Sequence, residues 1–239
     1  MESMDENIYE KIQEIFGKMP AKFSVLEEEI DMELQMEYFE FSKLHKNDLS
    51  NEEILKRKDR LFEKSLPIFE KRLLLSLLAS VEEVIAYRTI EKYLKNPEKE
   101  LRSWAILALQ ESRMSLESSL LEENQVFIST GLGGKGRKLR YFIVLIHNNK
   151  LVTHTQAKVV KNEFEFIFKK YDSEIEEIEH TNNYTTLKAL IPLNVPINLV
   201  LEKSIRECNQ YGNFINEKYI ITNVKALTLK EIKKYVDKK

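Results

Sequence analysis

Apolar side chains recur every three or four positions through the first half of the chain, the spacing that places them on one face of a helix. In the segment 21–46 they are Phe23, Leu26, Ile30, Leu34 and Tyr38. Residues 8–16 show the same period, and residues 51–67 and 68–79 continue the helical character. Because residues 68–79 are almost wholly apolar, the pattern predicts that this helix lies at the centre of the core.

Residues that cap helices mark the boundaries between the later segments. Ser80 is followed three positions on by Glu83, the spacing of a capping box. Asn96 and Pro97 repeat the signal, with Asn96 as N-cap and Pro97 at the first helical position. The sequence therefore predicts one helix that begins at Ser80 and another that begins at Asn96 and runs past Met114.

The hydrophobic pattern changes near residue 125, where short apolar runs replace the helical period. Val126–Thr130 is strand-like, and Leu139–Ile146 is apolar on both faces apart from Arg140, as in a central strand. The predicted order from there is strand 139–146, helix 155–171, edge strand 174–180, strand 184–191, helix 194–208, strand 218–224 and a final helix capped by Thr228 and Glu231. This β-α-β-β-α-β order ends near residue 225.

Two local resemblances follow from these elements. The segments that begin at Val84 and Leu101 resemble a HEAT-type helical repeat over about residues 80–115, and such repeats are protein-binding scaffolds. Residues 139–225 resemble a ferredoxin-like βαββαβ domain, in which the first and third strands are central. The expected fold class is therefore α+β, with an all-α domain of HEAT-like αα-hairpin type at 1–124 and a ferredoxin-like domain at 125–239.

Composition adds a charge contrast that the total conceals. The formal net charge is −2, but residues 1–124 carry 18 Lys and Arg against 27 Asp and Glu, whereas residues 125–239 carry 19 against 12. The halves thus have net charges of −9 and +7. Such asymmetry indicates a polyanion or an acidic partner, or simply attraction between the two halves.

Four of the six glycines lie within Gly131–Gly136. Their Gly-x-Gly-x-x-Gly spacing matches a dinucleotide-binding loop, but that chemistry requires a helix after the loop, and here a strand is predicted. The loop also lacks the spacing of a phosphate-binding P-loop, and no kinase motif follows it. The sequence therefore argues against a nucleotide site.

Basic residues surround the glycine-rich loop. They are Lys135, Arg137, Lys138 and Arg140. On a flexible loop poor in side chains, such residues bind phosphate backbones through charge, while glycine permits close approach. We therefore predict a polyanion-binding site here, with RNA or a ribonucleoprotein as the expected partner. A solvated hairpin tip without a partner and an acidic protein partner are the alternatives.

No arrangement of residues indicates catalysis, a cofactor or a bound metal. His147 and His154 flank one turn without a third ligand at a recognisable spacing, so a zinc site is not expected. The single cysteine, Cys208, lies on the predicted apolar face of a helix and is expected to be a buried structural thiol. It also fits a reducing compartment, and residues 1–6 lack the features of a signal peptide.

These observations lead to a functional expectation with alternatives. The sequence predicts a non-enzymatic cytoplasmic protein, with a helical scaffold for a protein partner and a basic domain that contacts RNA or a ribonucleoprotein. One alternative is a protein–protein adaptor or homo-oligomer without nucleic acid. Another is a small-ligand sensor. No membrane association is expected, because the longest apolar run is too short to cross a bilayer.

Overall fold

The computed structural model describes residues 23–121, 126–148, 151–181 and 183–236. The chain divides into two compact units, residues 30–127 and residues 1–29 with 128–239, here called the helical unit and the sheet unit. The helix predicted over residues 8–16 and the predicted boundary at 124–125 lie outside the described residues, so both stay predictions.

The helical unit consists of successive helices joined by short turns. They are α1 (Met32–His45), α2 (Asn51–Arg57), α3 (Ile68–Ala79), α4 (Val84–Tyr93) and α5 (Arg102–Leu121), with 3₁₀ turns at Lys58–Phe62 and Lys99–Leu101. None of the helices in the described part of the chain is long and apolar enough to cross a membrane.

Helix α3 lies at the centre of the helical core, as the apolar run predicts. Its residues from Leu74 to Ala79 are all buried. Trp104 of α5 is also buried, and its indole N–H donates to the Arg72 carbonyl at 3.1 Å. The Tyr38 ring meets the Trp104 ring edge-on at 5.1 Å, which ties α1 to the same core.

The predicted caps of α4 and α5 are wrong. Ser80 ends α3 instead of starting α4, and its hydroxyl donates to the Leu77 carbonyl at 2.8 Å. Glu83 is the N-cap residue of α4 without a side-chain cap bond. Glu98, and not Asn96, precedes the 3₁₀ turn that leads into α5. A capping box does form at Ser50 and Glu53, at the start of α2.

The remaining elements of the described residues are the strands and three further helices. In chain order they are β1 (Phe23–Val25), β2 (Val126–Ile128), β3 (Gly134–Lys135), β4 (Lys138–His147), α6 (His154–Lys170), β5 (Glu174–Thr181), β6 (Tyr184–Pro192), α7 (Ile197–Asn209), β7 (Ile215–Thr222) and α8 (Leu229–Val236). All of them belong to the sheet unit except β2, which spans the division between the two units in the sequence. Strand β6 lies between β4 and β5, and β4 also pairs with β7, all antiparallel. The central positions of β4 and β6 agree with their apolar sequences. The chain is therefore a mixed α+β protein.

Helices α6 and α7 cover one face of this sheet. The core between them includes Ile143, Leu187, Phe164 and Leu201, all buried. On the opposite face Ile232 of α8 packs with Val144 and Tyr184 in a smaller cluster. The main core therefore lies on the side of α6 and α7.

The predicted helix over residues 21–46 is wrong in its first third. Phe23–Val25 is a strand, and the Leu26 N–H donates to the Ile128 carbonyl at 3.0 Å. The helix begins only at Met32, because the Asp31 carboxylate accepts hydrogen bonds from the N–H groups of its first turn. The apolar spacing continued across this boundary by coincidence, since Leu26 and Ile30 belong to different units.

Candidate functional site

The basic loop predicted from the sequence is a tight hairpin between β3 and β4. Gly134 is paired with Leu139 and Lys135 with Lys138, so Gly136 and Arg137 form a two-residue turn. Gly136 has a φ of 60°, which the first central residue of a type II′ turn requires and which glycine adopts without strain. The loop therefore leads into a strand, as the sequence predicts, and not into the helix that follows a dinucleotide-binding loop.

The glycines before this turn are buried, so the loop is not the flexible, solvated segment that the sequence suggested. A Cβ at Gly131 would lie 1.7 Å from the Val224 carbonyl oxygen. At Gly133, where φ is 67°, a Cβ would lie 2.5 Å from the Glu28 carbonyl oxygen. These glycines allow neighbouring backbone segments to approach closely. Only Lys135, Gly136 and Arg137 are exposed.

Lys138 is held by two carboxylates of the same unit. Its ammonium donates to Asp172 at 3.1 Å and to Glu174 at 2.8 Å, and its side chain is 16% exposed. Burial lowers the pKa of Lys138, but the hydrogen bonds to Glu174 and Asp172 outweigh this effect and raise the pKa overall. Its charge is therefore largely compensated.

Arg140 is bound still more firmly. Its guanidinium donates to both carboxylate oxygens of Glu176, at 2.5 and 3.0 Å, and to the Leu132 carbonyl at 2.8 Å. The hydrogen bond to Glu176 raises the pKa of Arg140, and the same bond lowers the pKa of Glu176. A bidentate pair of this kind fixes the guanidinium in place. Arg140 thus has a structural role, because it links β4 to Glu176 of β5 and to the Leu132 carbonyl.

Lys135 and Arg137 face a cleft in the sheet unit. The cleft has a volume of about 700 Å³ and is also lined by Gly136, Lys138, Phe23, Asp172, Glu174, Pro192, Leu193 and Asn194. The Arg137 guanidinium carbon lies 4.5 Å from the centroid of the Phe23 ring, a cation–π contact. The structure thus separates the four predicted residues. Lys135 and Arg137 are exposed at the cleft, whereas Lys138 and Arg140 form ion pairs within the sheet unit.

A second polar cluster, at one end of the sheet, is not recognisable from the sequence. His147 Nε2 and His180 Nδ1 each lie 2.8 Å from the Thr185 hydroxyl oxygen. His147 is buried, its Nδ1 has no hydrogen-bond partner among the described residues, and its ring stacks on Phe214 at 5.9 Å. Burial, with a smaller effect of the His180 charge, lowers the pKa of His147 to about 4. His147 lies 38 residues before Thr185 in the sequence, so the register of β4 against β6 brings it to the other two residues.

The predicted interpretation of Cys208 is confirmed. The thiol is free and buried among the core residues of α7, and burial raises its pKa to about 12. A thiol of this kind is a poor nucleophile near neutral pH. Within the described residues, no group of three or more His, Cys, Asp and Glu side chains is arranged to hold a metal ion.

No protein-family model and no curated protein matches this chain. Among solved structures, a putative transposase from Deinococcus radiodurans is 17% identical, with a TM-score of 0.37 over 42% of this chain and 90% of that chain. A REP-associated tyrosine transposase bound to a REP hairpin is 10% identical, with a TM-score of 0.32 over 41% of this chain and 62% of that chain. In both comparisons the similar region covers less than half of the present chain.

These neighbours correct the functional expectation drawn from the sequence. Both are described as transposases, which are enzymes, and neither is described as an RNA-binding scaffold. The expectation of a non-enzymatic scaffold that contacts RNA is therefore wrong. Because both TM-scores are below 0.5, the likeness does not assign a substrate, reaction or site to this chain.

Proposed function

We propose that the sheet unit binds single-stranded DNA in the cleft beside the β3–β4 hairpin. The observation that carries the proposal is the Arg137 guanidinium held over the Phe23 ring, with exposed Lys135 lining the same cleft. Proteins that bind single strands combine cations that follow the phosphates with flat groups on which bases stack. Arg137 supplies both a flat face and a positive charge.

The volume and charge of the cleft support a short contact. A volume of about 700 Å³ lies within the range of small-ligand sites, so a few nucleotides at most are enclosed. The lining contains three cations and two carboxylates, which leaves one positive charge in excess. Since Lys138 is already paired with both carboxylates, Lys135 and Arg137 provide the attraction for phosphate. Binding is therefore expected to be modest in affinity.

The proposed fold places this cleft on a ferredoxin-like domain. The antiparallel order β7-β4-β6-β5, with α6 and α7 on one face, supports that assignment. The HEAT-like assignment of about residues 80–115 is likewise a proposal, supported by the succession of α4 and α5. A cytoplasmic location belongs to the same proposal and rests on the single buried cysteine. A protein partner and a homo-oligomer stay predictions.

The proposal is tested by removing the two exposed cations together. A double variant with Lys135→Ala and Arg137→Ala is expected to bind a fluorescent single-stranded oligodeoxynucleotide about tenfold more weakly, because a stacking contact and a phosphate contact are lost. Fluorescence anisotropy measures the change.

The matched control removes the same charge elsewhere. Lys158→Ala with Lys230→Ala takes two exposed lysines from α6 and α8, outside the cleft. This control is expected to keep its affinity within about twofold, because nonspecific charge makes a small contribution. Equal losses in both double variants, or tighter binding of the matching ribo-oligonucleotide, would contradict the proposal.

A further inference from the structure

An acidic segment of the same unit contacts the hairpin that lines the cleft. The Glu27 carboxylate accepts a hydrogen bond from the Gly136 N–H at 3.1 Å. The Glu27 carbonyl accepts another from the Arg140 guanidinium at 3.2 Å. A carboxylate is therefore hydrogen-bonded to the N–H of Gly136, which lies in the sequence between Lys135 and Arg137, the two cations proposed to bind DNA.

The position of this carboxylate is set by its neighbours in the chain. Gly133 lies so close to the backbone of Glu27 and Glu28 that a Cβ there would meet both carbonyl oxygens. Glu29 pairs with Lys188 at 3.4 Å. The segment is thus fixed at its backbone and at its end, and Glu27 is directed to the turn by this anchoring.

The chemistry of the Gly136 N–H suits an anionic oxygen. The residue has a positive φ, and a Cβ placed on it would meet no atom of the described residues within 4 Å, so space beside it is open in this part of the chain. Backbone N–H groups at turns bind phosphate oxygens as well as carboxylates, particularly with a lysine alongside. Glu27 is itself exposed, so its replacement by another anion costs one exposed hydrogen bond.

We propose that the Gly136 N–H and Lys135 form a subsite for one phosphate group, and that Glu27 occupies this subsite in the unbound protein. The inference rests on the proposed function, because it assigns the phosphate of the bound strand. It makes Glu27 an internal competitor, so its neutralisation strengthens binding. Replacing its carboxylate with an amide removes the competing charge and keeps the shape of the side chain.

The test compares Glu27→Gln with Glu28→Gln in the full chain. Both raise the net charge by one and lie in the same segment, but only Glu27 bonds to Gly136. Glu27→Gln is expected to tighten binding of the fluorescent oligodeoxynucleotide about fivefold, the size of one exposed charged contact. Glu28→Gln is expected to change the affinity less than about twofold.

A second readout follows the subsite without DNA. In ¹⁵N–¹H spectra, the Gly136 amide signal of Glu27→Gln is expected to move on addition of inorganic phosphate, and to move much less in the wild type. Equal tightening by both variants, or a Gly136 signal that phosphate leaves unmoved in Glu27→Gln, overturns the inference.

The two readouts separate the inference from the proposed function. If Lys135→Ala with Arg137→Ala weakens DNA binding as expected but Glu27→Gln leaves it unchanged, the subsite is refuted and the function stands. If no form of the protein binds DNA while phosphate moves the Gly136 signal of Glu27→Gln, the subsite stands and the function is refuted.

Discussion

Gly133 and Gly136 lie three residues apart and are needed for different reasons. Both have positive φ, at 67° and 60°. At Gly133 a side chain would also collide with the Glu27 and Glu28 carbonyls, whereas at Gly136 it would meet open space. Clustered glycines in this chain thus serve backbone packing at one position and turn geometry at another, and neither role requires a ligand.

These roles predict different costs for alanine. Gly133→Ala should lower the free energy of unfolding of the sheet unit by about 3 kcal/mol or more, because strain and a backbone collision combine. Gly136→Ala should cost about 1–2 kcal/mol, from the positive φ alone. Hydrogen–deuterium exchange of the β4 and β6 amides measures both. Similar costs at the two positions would show that Gly133 is not closely packed.

His147 predicts how the sheet unit responds to acid. Because burial lowers its pKa to about 4, the folded unit holds this ring neutral while the unfolded chain takes up a proton near pH 6.5. The free energy of unfolding that depends on a neutral His147 is therefore fully present above about pH 6.5. It decreases as the pH falls from 6.5 towards 4. Between pH 7.5 and 4.5 the loss attributable to His147 should be about 2–3 kcal/mol.

Two glutamine variants isolate that effect. His147→Gln should remove this part of the pH dependence, whatever it does to stability at neutral pH. His154→Gln, at an exposed position, should leave the pH dependence as in the wild type. Urea unfolding at the two pH values provides the comparison, and an unchanged pH dependence in His147→Gln would rule out the buried neutral ring.

At the scale of the elements, ion pairs cross the sheet from β4. Arg140 reaches Glu176 of β5 past the intervening strand β6, and Lys138 reaches Glu174 of the same strand. These pairs explain why an edge strand so rich in glutamate is compatible with the sheet. Charged side chains on an edge strand also disfavour its pairing with a further strand.

Loss of the ion pair between Arg140 and Glu176 should therefore lower the stability of the sheet unit. Arg140→Ala leaves Glu176 and two backbone carbonyls without this donor, and should lower the free energy of unfolding of the sheet unit by about 2 kcal/mol. Lys135→Ala, at an exposed position on the neighbouring strand of the hairpin, should change it by less than about 0.5 kcal/mol. Urea unfolding followed by circular dichroism distinguishes them. Equal stability of the two variants would show that the contacts of Arg140 do not stabilise the sheet unit.

The elements that the sequence predicts well are those with a continuous apolar pattern. The predicted strand 139–146 became Lys138–His147, and the predicted helix 155–171 became His154–Lys170. The errors occur where local spacing imitates another structure. Phe23 and Leu26 keep a helical period with Ile30, yet Phe23 lies in a strand whose partner follows about 100 residues later. Local patterns carry no information about such long-range pairing.

For the candidate site, too, the sequence identifies the residues but not their tertiary partners. The sequence identifies Lys135, Arg137, Lys138 and Arg140 as one basic group. It contains no indication that Asp172 and Glu174 meet Lys138, because their approach depends on the register of β4, β6 and β5. The stacking of Arg137 on Phe23 is likewise a tertiary contact.

At the scale of the whole molecule, the net charge of the second half does not by itself locate a binding surface. That charge of +7 already includes Asp172, Glu174 and Glu176, the carboxylates paired with Lys138 and Arg140. Lys188 is paired instead with Glu29 of the first half. The cleft itself presents two exposed cations, Lys135 and Arg137, and these two are proposed to contact DNA.

The salt dependence of DNA binding shows whether Lys135 and Arg137 contact the phosphates. For a single strand, the slope of log affinity against log salt concentration is about −0.7 for each phosphate neutralised, so two cations predict a slope of about −1.4. The double variant Lys135→Ala with Arg137→Ala should bring the slope close to zero, while Lys158→Ala with Lys230→Ala should leave it near −1.4. Anisotropy titrations over a range of salt concentrations provide these slopes. An unchanged slope in the first double variant, or no measurable binding of a single strand by the wild type, would contradict the account.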